Sequence, residues 1–129
     1  MSELSDAALV TALRRQMTIA AARQVIAAGN LANVNTPGFR ARQADFETAL
    51  DASLRQPLAV THPAHLRSEG AGSVAAKEAD GLPARRDGNT VQIDRELLEM
   101  TSAGGEFQRA QTALAAKFRL VRYAINEGR

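Results

Sequence analysis

Apolar positions recur at alternating steps of three and four at both ends of the chain. Near the start, Val10, Leu13, Met17, Ala20, Gln24, Ala27 and Leu31 follow this rule, with Gln24 the lone polar member. Near the end, Leu97, Met100, Gly104, Phe107, Gln111, Leu114, Phe118, Val121 and Ile125 do the same. Such spacing marks the seam of an amphipathic helix built for helical partners. It predicts helices over 5–33 and 94–127. Ser5 and Asp94 are the expected caps, with Asp6 and Glu96 in the first turns, where negative charge is favoured. Gly29 weakens the last turn of the first helix, and Gly104-Gly105 predicts a kink or a close backbone contact in the second.

The first helix must stop at Asn33-Val34-Asn35-Thr36-Pro37-Gly38-Phe39. Pro37 has no N–H to donate and drives Thr36 out of the α region. Pro37-Gly38 suits the centre of a type II turn, whose third residue needs positive φ. Between the helices the pattern breaks down. Phe46, Leu50 and Leu54 would line one face of a short helix over 45–55. Residues 56–89 hold three of the four prolines and read as irregular. Asp87-Gly88-Asn89 is a turn signal, and Thr90-Val91-Gln92-Ile93 alternates like a short strand. The expected fold is therefore one all-α dominated domain over 1–129. Two long antiparallel terminal helices form a coiled-coil hairpin, joined through a turn, short helix and irregular loop over 34–93. Setting Val10 against Ile125 brings Gln24 opposite Gln111, which would pair the two polar seam residues.

Composition sharpens this picture. Hydrophobic residues make up 45% of 129, yet 26 are Ala and only 28 are Leu, Ile, Val or Phe; aromatics are 4%. Two helices with so few large side chains bury too little on their own, so the hairpin is expected to complete its core with neighbouring subunits. Net charge is +2 with both signs interspersed, unlike a nucleic-acid binding face. There is no Cys, which removes disulfides and thiolate chemistry. No run of about 20 apolar residues is present, and the polar start lacks the basic-then-apolar form of a cleavable secretory signal.

Candidate chemistry is sparse. His62 and His65 lack further ligands, so a loop role outweighs a metal site. Asp94, Glu96 and Glu99 read as capping residues and a solvated face. Arg14-Arg15 and Arg85-Arg86 read as solvated or inter-subunit pairing residues. No nucleophile, base and orienting group recur together, so no catalytic residue, cofactor, metal, nucleic acid or small-molecule substrate is expected.

Asn30-Leu31-Ala32-Asn33-Val34-Asn35-Thr36-Pro37-Gly38-Phe39 resembles the signature that follows the N-terminal helix in the bacterial flagellar rod, hook and hook-associated proteins. The signature residues are Asn30, Ala32, Asn33, Thr36, Pro37, Gly38 and Phe39, with Leu31 in place of the usual Ile. Arg40 to Phe46, Thr61-His62-Pro63-Ala64-His65-Leu66, Asp87 to Leu97 and Ile125 to Arg129 are similar to stretches of proximal-rod members. The resemblance implies a structural part of the proximal rod in the flagellar basal body. Such a part crosses the periplasmic space after type III export without a cleavable signal peptide. It would assemble helically through its terminal helices with its own copies and other rod proteins, and would meet membrane-ring and export-gate proteins at its base. The other reading of the seams is a soluble coiled-coil adaptor or chaperone of such an export system.

Overall fold

A computed structural model describes residues 6–45 and 74–126. Helix α1 spans Asp6–Ala32 and helix α2 spans Ile93–Asn126. Between them lie two three-residue strands, β1 (Arg42–Ala44) and β2 (Ala76–Glu78). The strands pair antiparallel, with Gln43 opposite Lys77. Flanking backbone bonds, Ala79 N–H to Ala41 O and Asp45 N–H to Ala75 O, both 2.8 Å, extend the ribbon.

The helices lie antiparallel. At one end Asn30 of α1 bonds Glu96 of α2; at the other Lys117 bonds Asp6. The chain is thus helix-dominated, two long helices packed as a hairpin around a small ribbon. The core that joins them is made of alanine. Ala20 and Ala27 of α1 and Ala103 and Ala110 of α2 are buried, each pair seven residues apart. Small side chains at a helix contact let the axes approach closely. The remaining buried apolar residues, Ala41, Ala44 and Val91, attach the ribbon and the segment before α2.

Several expectations shift. Gln24 does not meet Gln111. A side-chain carbon on Gly104 would stand 2.8 Å from Gln24 Nε2, so Gly104 makes room for the glutamine. The pairing is displaced by about two turns from the Val10–Ile125 alignment. The alanine contact sets this register, and alanines were the least distinctive apolar residues in the pattern. Helix α2 runs unbroken through Gly104-Gly105; Gly104 serves close approach rather than a break, while open space lies beside Gly105. Residues 90–92 form no strand, and Ile93 already belongs to α2. Their polar groups are spent elsewhere: Thr90 N–H donates to Phe39 O, and its hydroxyl accepts from Ala41 N–H. Asp94 lies inside the first turn of α2 rather than capping it, since Glu96 N–H already bonds Gln92 O at 3.0 Å. Ser5, the proposed helix over 45–55, and His62 and His65 lie outside the described residues. Among the described residues no helix is long and apolar enough to cross a membrane.

Candidate assembly site

The segment after α1 closes as the dipeptide Pro37-Gly38 predicts. Phe39 N–H donates to Thr36 O at 3.2 Å, and Gly38 has φ 71°, as the third residue of a type II turn requires. The preceding residues finish the helix. Asn33 donates its side-chain amide to Gly29 O, and its own N–H bonds Asn30 O. Asn33 Oδ1 also accepts from the Thr36 hydroxyl.

A second turn, from the far end of the irregular segment, clasps this one. Gly88, at φ 80°, closes on Arg85 O, and Gly38 N–H donates to Asp87 O at 2.8 Å. A side-chain carbon on Gly88 would lie 3.4 Å from the Gly38 Cα, so the two glycines bring the turns into near contact. Asn89 sits between them, wholly buried. Its Nδ2 is 2.9 Å from Asn33 O, 3.1 Å from Val34 O and 2.9 Å from Thr36 O. Its Oδ1 accepts from Val91 N–H at 2.7 Å. Two hydrogens serve three carbonyls, so one bond is shared. Arg85 adds bonds to Val34 O and Val91 O. Arg85 is exposed, as its dipeptide with Arg86 implied, and it also clamps two backbone carbonyls of its own chain.

Asn30 plays the matching part at the helix interface. Its Oδ1 accepts from Arg42 N–H, and its Nδ2 donates to Arg42 O and to Glu96 Oε2. One buried amide thereby ties α1 to β1 and to α2. Glu96 is buried as well. Its charge is tolerated in the first turn of α2, where free backbone N–H groups favour an anion, and beside a donor amide. The acidic cluster is therefore a solvated face only in part. Asp94 is exposed, Glu96 is enclosed, and Glu99 pairs with Arg23, which also reaches Glu106 at 2.7 Å. The hydrogen bond from Arg23 holds the Glu99 carboxyl below its usual range, against some opposition from burial. The same bond raises Arg23, so the guanidinium stays charged. These residues border a cleft of about 460 Å³ whose lining includes Arg42, Lys77 and Arg95. No cluster of metal-ligating groups occurs among the described residues.

The seam residues divide. Ala20 and Ala27 are buried; Val10, Leu13, Met17, Gln24 and Leu31 are half-buried. On α2, Met100, Phe107 and Leu114 are half-buried, while Leu97, Gln111, Phe118, Val121 and Ile125 are exposed. The side of α2 facing α1 is centred on Ala103 and Ala110, so the seam of larger residues is rotated toward an open flank. There Val10, Met17, Ala21, Phe107, Leu114 and Phe118 line an apolar groove of about 750 Å³. Of the signature residues, Asn30 is buried, Asn33 and Phe39 are half-buried, and Ala32, Thr36, Pro37 and Gly38 are exposed. Pattern reading missed Asn89 as a clasp and Arg23 as the ion-pair centre. The asparagine carried a signal, since it closes a D-G-N turn; the arginine carried none.

Among the described residues the arrangement offers surfaces and fixed turns. Residues 8–40 match the family described as flagella basal body rod protein. The chain is 31% identical to flagellar basal body rod protein FlgB of Salmonella typhimurium, over 86% of this chain and 90% of that one. It is 30% identical to the FlgB of Yersinia enterocolitica, over 87% and 89%. It is 29% identical to the FlgB of Escherichia coli K12, over 93% and 96%. The family is structural rather than enzymatic, and it does not favour the adaptor or chaperone reading. With a clasped turn after its first helix and likeness along nearly its whole length, this chain belongs to the FlgB family of flagellar basal body rod proteins.

Proposed function

We propose that the chain is a building block of the proximal rod, assembling helically with its own copies and other rod proteins through its terminal helices. One observation carries this. The hairpin is closed by alanines, while Val10, Met17, Phe107, Leu114 and Phe118 line an open groove and Leu97, Val121 and Ile125 are exposed. A molecule that spends its smallest residues inside and displays its largest outside is shaped to be completed by neighbours. The clasped turn sets the direction in which the chain leaves α1, so the outer part of each subunit keeps a fixed place around the helix pair. The low content of large apolar residues suits passage through the type III export apparatus in an unfolded state. Contact with membrane-ring and export-gate proteins at the rod base, and a position within the periplasmic space, belong to the same reading.

Deleting the gene from its bacterium and restoring it on a plasmid tests this. Cells without the chain are expected to lose swimming and to lack rods in purified basal bodies; restored cells regain both, with the chain in the basal-body fraction. Swimming deletion cells, or a chain confined to the cytoplasm, would overturn the proposal.

A further inference from the structure

Past Glu106 the charge on helix α2 becomes one-sided. From Phe107 to Asn126 it carries Arg109, Lys117, Arg119 and Arg122 and no carboxylate. Lys117 pairs with Asp6 of α1, and it continues the side on which Ala103 and Ala110 face that helix. Arg119 comes two residues later, more than half a turn round at 3.6 residues per turn, so it points away from α1. Arg122, Tyr123 and Asn126 follow Arg119 at three, four and seven residues and share its side. The four side chains line a cleft of about 270 Å³. Both arginines are exposed, and among the described residues neither has an ion-pair partner.

Two guanidinium forks, a phenol hydroxyl and a carboxamide all supply hydrogen-bond donors to this cleft, and no acid competes for them. Such a donor set suits a phosphate, which two arginines can grip through parallel N–H bonds. The cleft spans about two turns of one helix, room for a headgroup rather than for a helix or strand of another protein. Tyr123 and Leu120 stand beside the arginines at 64% and 65% exposure. Arginine mixed with exposed tyrosine and leucine is the composition of a helix that lies on a bilayer: the guanidiniums meet headgroups, and the ring and leucine settle at the acyl boundary.

We propose that the outer side of α2 near its C-terminus binds the phosphate headgroups of an anionic bilayer. Arg119 and Arg122 take the phosphate, with the Tyr123 hydroxyl and the Asn126 amide beside them, and Tyr123 and Leu120 enter the interface. The helix rests on the surface and does not span it, in keeping with the absence of a membrane-crossing helix among the described residues. This adds a ligand to the rod reading and stands without it, because it uses the side of α2 turned away from α1.

Tyr123 is the only tyrosine and the chain has no tryptophan, so its emission reports this site alone. The full chain is sedimented with vesicles of phosphatidylcholine alone, and of phosphatidylcholine and phosphatidylglycerol in equal parts. It is expected to follow the second and not the first, and to be released as salt rises. Arg119→Gln with Arg122→Gln should weaken partitioning about thirtyfold, the effect of removing two charges from the membrane surface. Arg119→Lys with Arg122→Lys should retain most of the binding. Mixed vesicles whose phosphatidylcholine is brominated in its acyl chains should quench Tyr123 in the bound chain. Both arginine positions are exposed, and unchanged circular dichroism of each variant verifies folding. Equal sedimentation with phosphatidylcholine alone overturns the proposal, as does a double-glutamine variant that binds like the parent or an unquenched Tyr123. A Tyr123 response to inorganic phosphate that matches the vesicle response at equal ionic strength would assign the cleft to a free anion. Equal capture by polyglutamate would assign the face to an acidic protein. Either result overturns the bilayer reading as well.

Discussion

One buried amide, Asn89, holds together pieces of chain that lie more than fifty residues apart. Its Nδ2 serves the carbonyls of Asn33, Val34 and Thr36, while its Oδ1 serves Val91 N–H. These are backbone groups at the end of a helix, where no repeating ladder remains to satisfy them. Replacing Asn89 with Ala strands them in a dry site, and each buried unpaired group costs about 1–3 kcal/mol. We expect Asn89→Ala to lower unfolding stability by roughly 3 kcal/mol, since water entering the vacated space recovers part of the loss. Asn89→Asp is the sharper variant. It keeps the acceptor for Val91 but sets a carboxylate against three carbonyl oxygens, so it should be at least as damaging as Ala. Urea unfolding of the full chain measures both. A stable Asn89→Asp variant would show that acceptance by Oδ1, not donation by Nδ2, holds the clasp. The two turns were legible separately, because Pro-Gly and Asp-Gly-Asn each specify local dihedrals. Their docking was not, because one side chain makes the join, and no periodicity reports a partner more than fifty residues away.

The helices show the same division between what a pattern encodes and what packing decides. Spacing by three and four announced two long helices, and they are present as α1 and α2. The pattern could not say which side of each helix faces the other. Large apolar residues dominate a seam read by hydrophobicity, yet closeness is won by small ones, and Ala103 and Ala110 were lost among 26 alanines. Beside that contact, Arg23 reaches Glu99 and Glu106 across the pair. Arg23 holds Glu99 below the usual carboxylate range, so acid should loosen the helices. The unfolded chain takes up a proton at this residue near pH ~4.3, and the folded chain only at lower pH. Between those values the unfolded state holds more protons, so stability falls as pH drops. The contribution is complete above about pH 4.3 and is lost as pH passes down through the folded value. Glu99 is 40% exposed at its side chain, and solvent screening keeps the effect under about 1 kcal/mol. Urea midpoints from neutral pH into acid should therefore fall less steeply for Glu99→Gln than for the parent chain. An identical acid limb in both would assign the loss to other carboxylates.

At the scale of the whole molecule, the question is what stability an isolated copy can have. Its helix contact is built from alanines, each of which removes little apolar surface from water. Phe118, Leu120, Val121, Tyr123 and Ile125 are only partly covered by the fold, standing 42–70% exposed on α2. Whatever more these side chains contribute must come from neighbours, so stability should depend on concentration. When unfolding is coupled to dissociation, each tenfold rise in chain concentration adds up to about 1.4 kcal/mol. Thermal and urea midpoints of the full chain should accordingly climb between micromolar and submillimolar samples. Leu120→Ser with Ile125→Ser, at 65% and 70% exposed, separates this from ordinary packing. Both residues are exposed in the single copy, so the dilute-limit stability should stay within about 0.5 kcal/mol of the parent, while the climb with concentration disappears. Midpoints that ignore concentration in the parent chain would mean the alanine-closed hairpin is self-sufficient and its outward seam idle. A double variant weakened equally at every dilution would instead place these residues in a core of the single molecule.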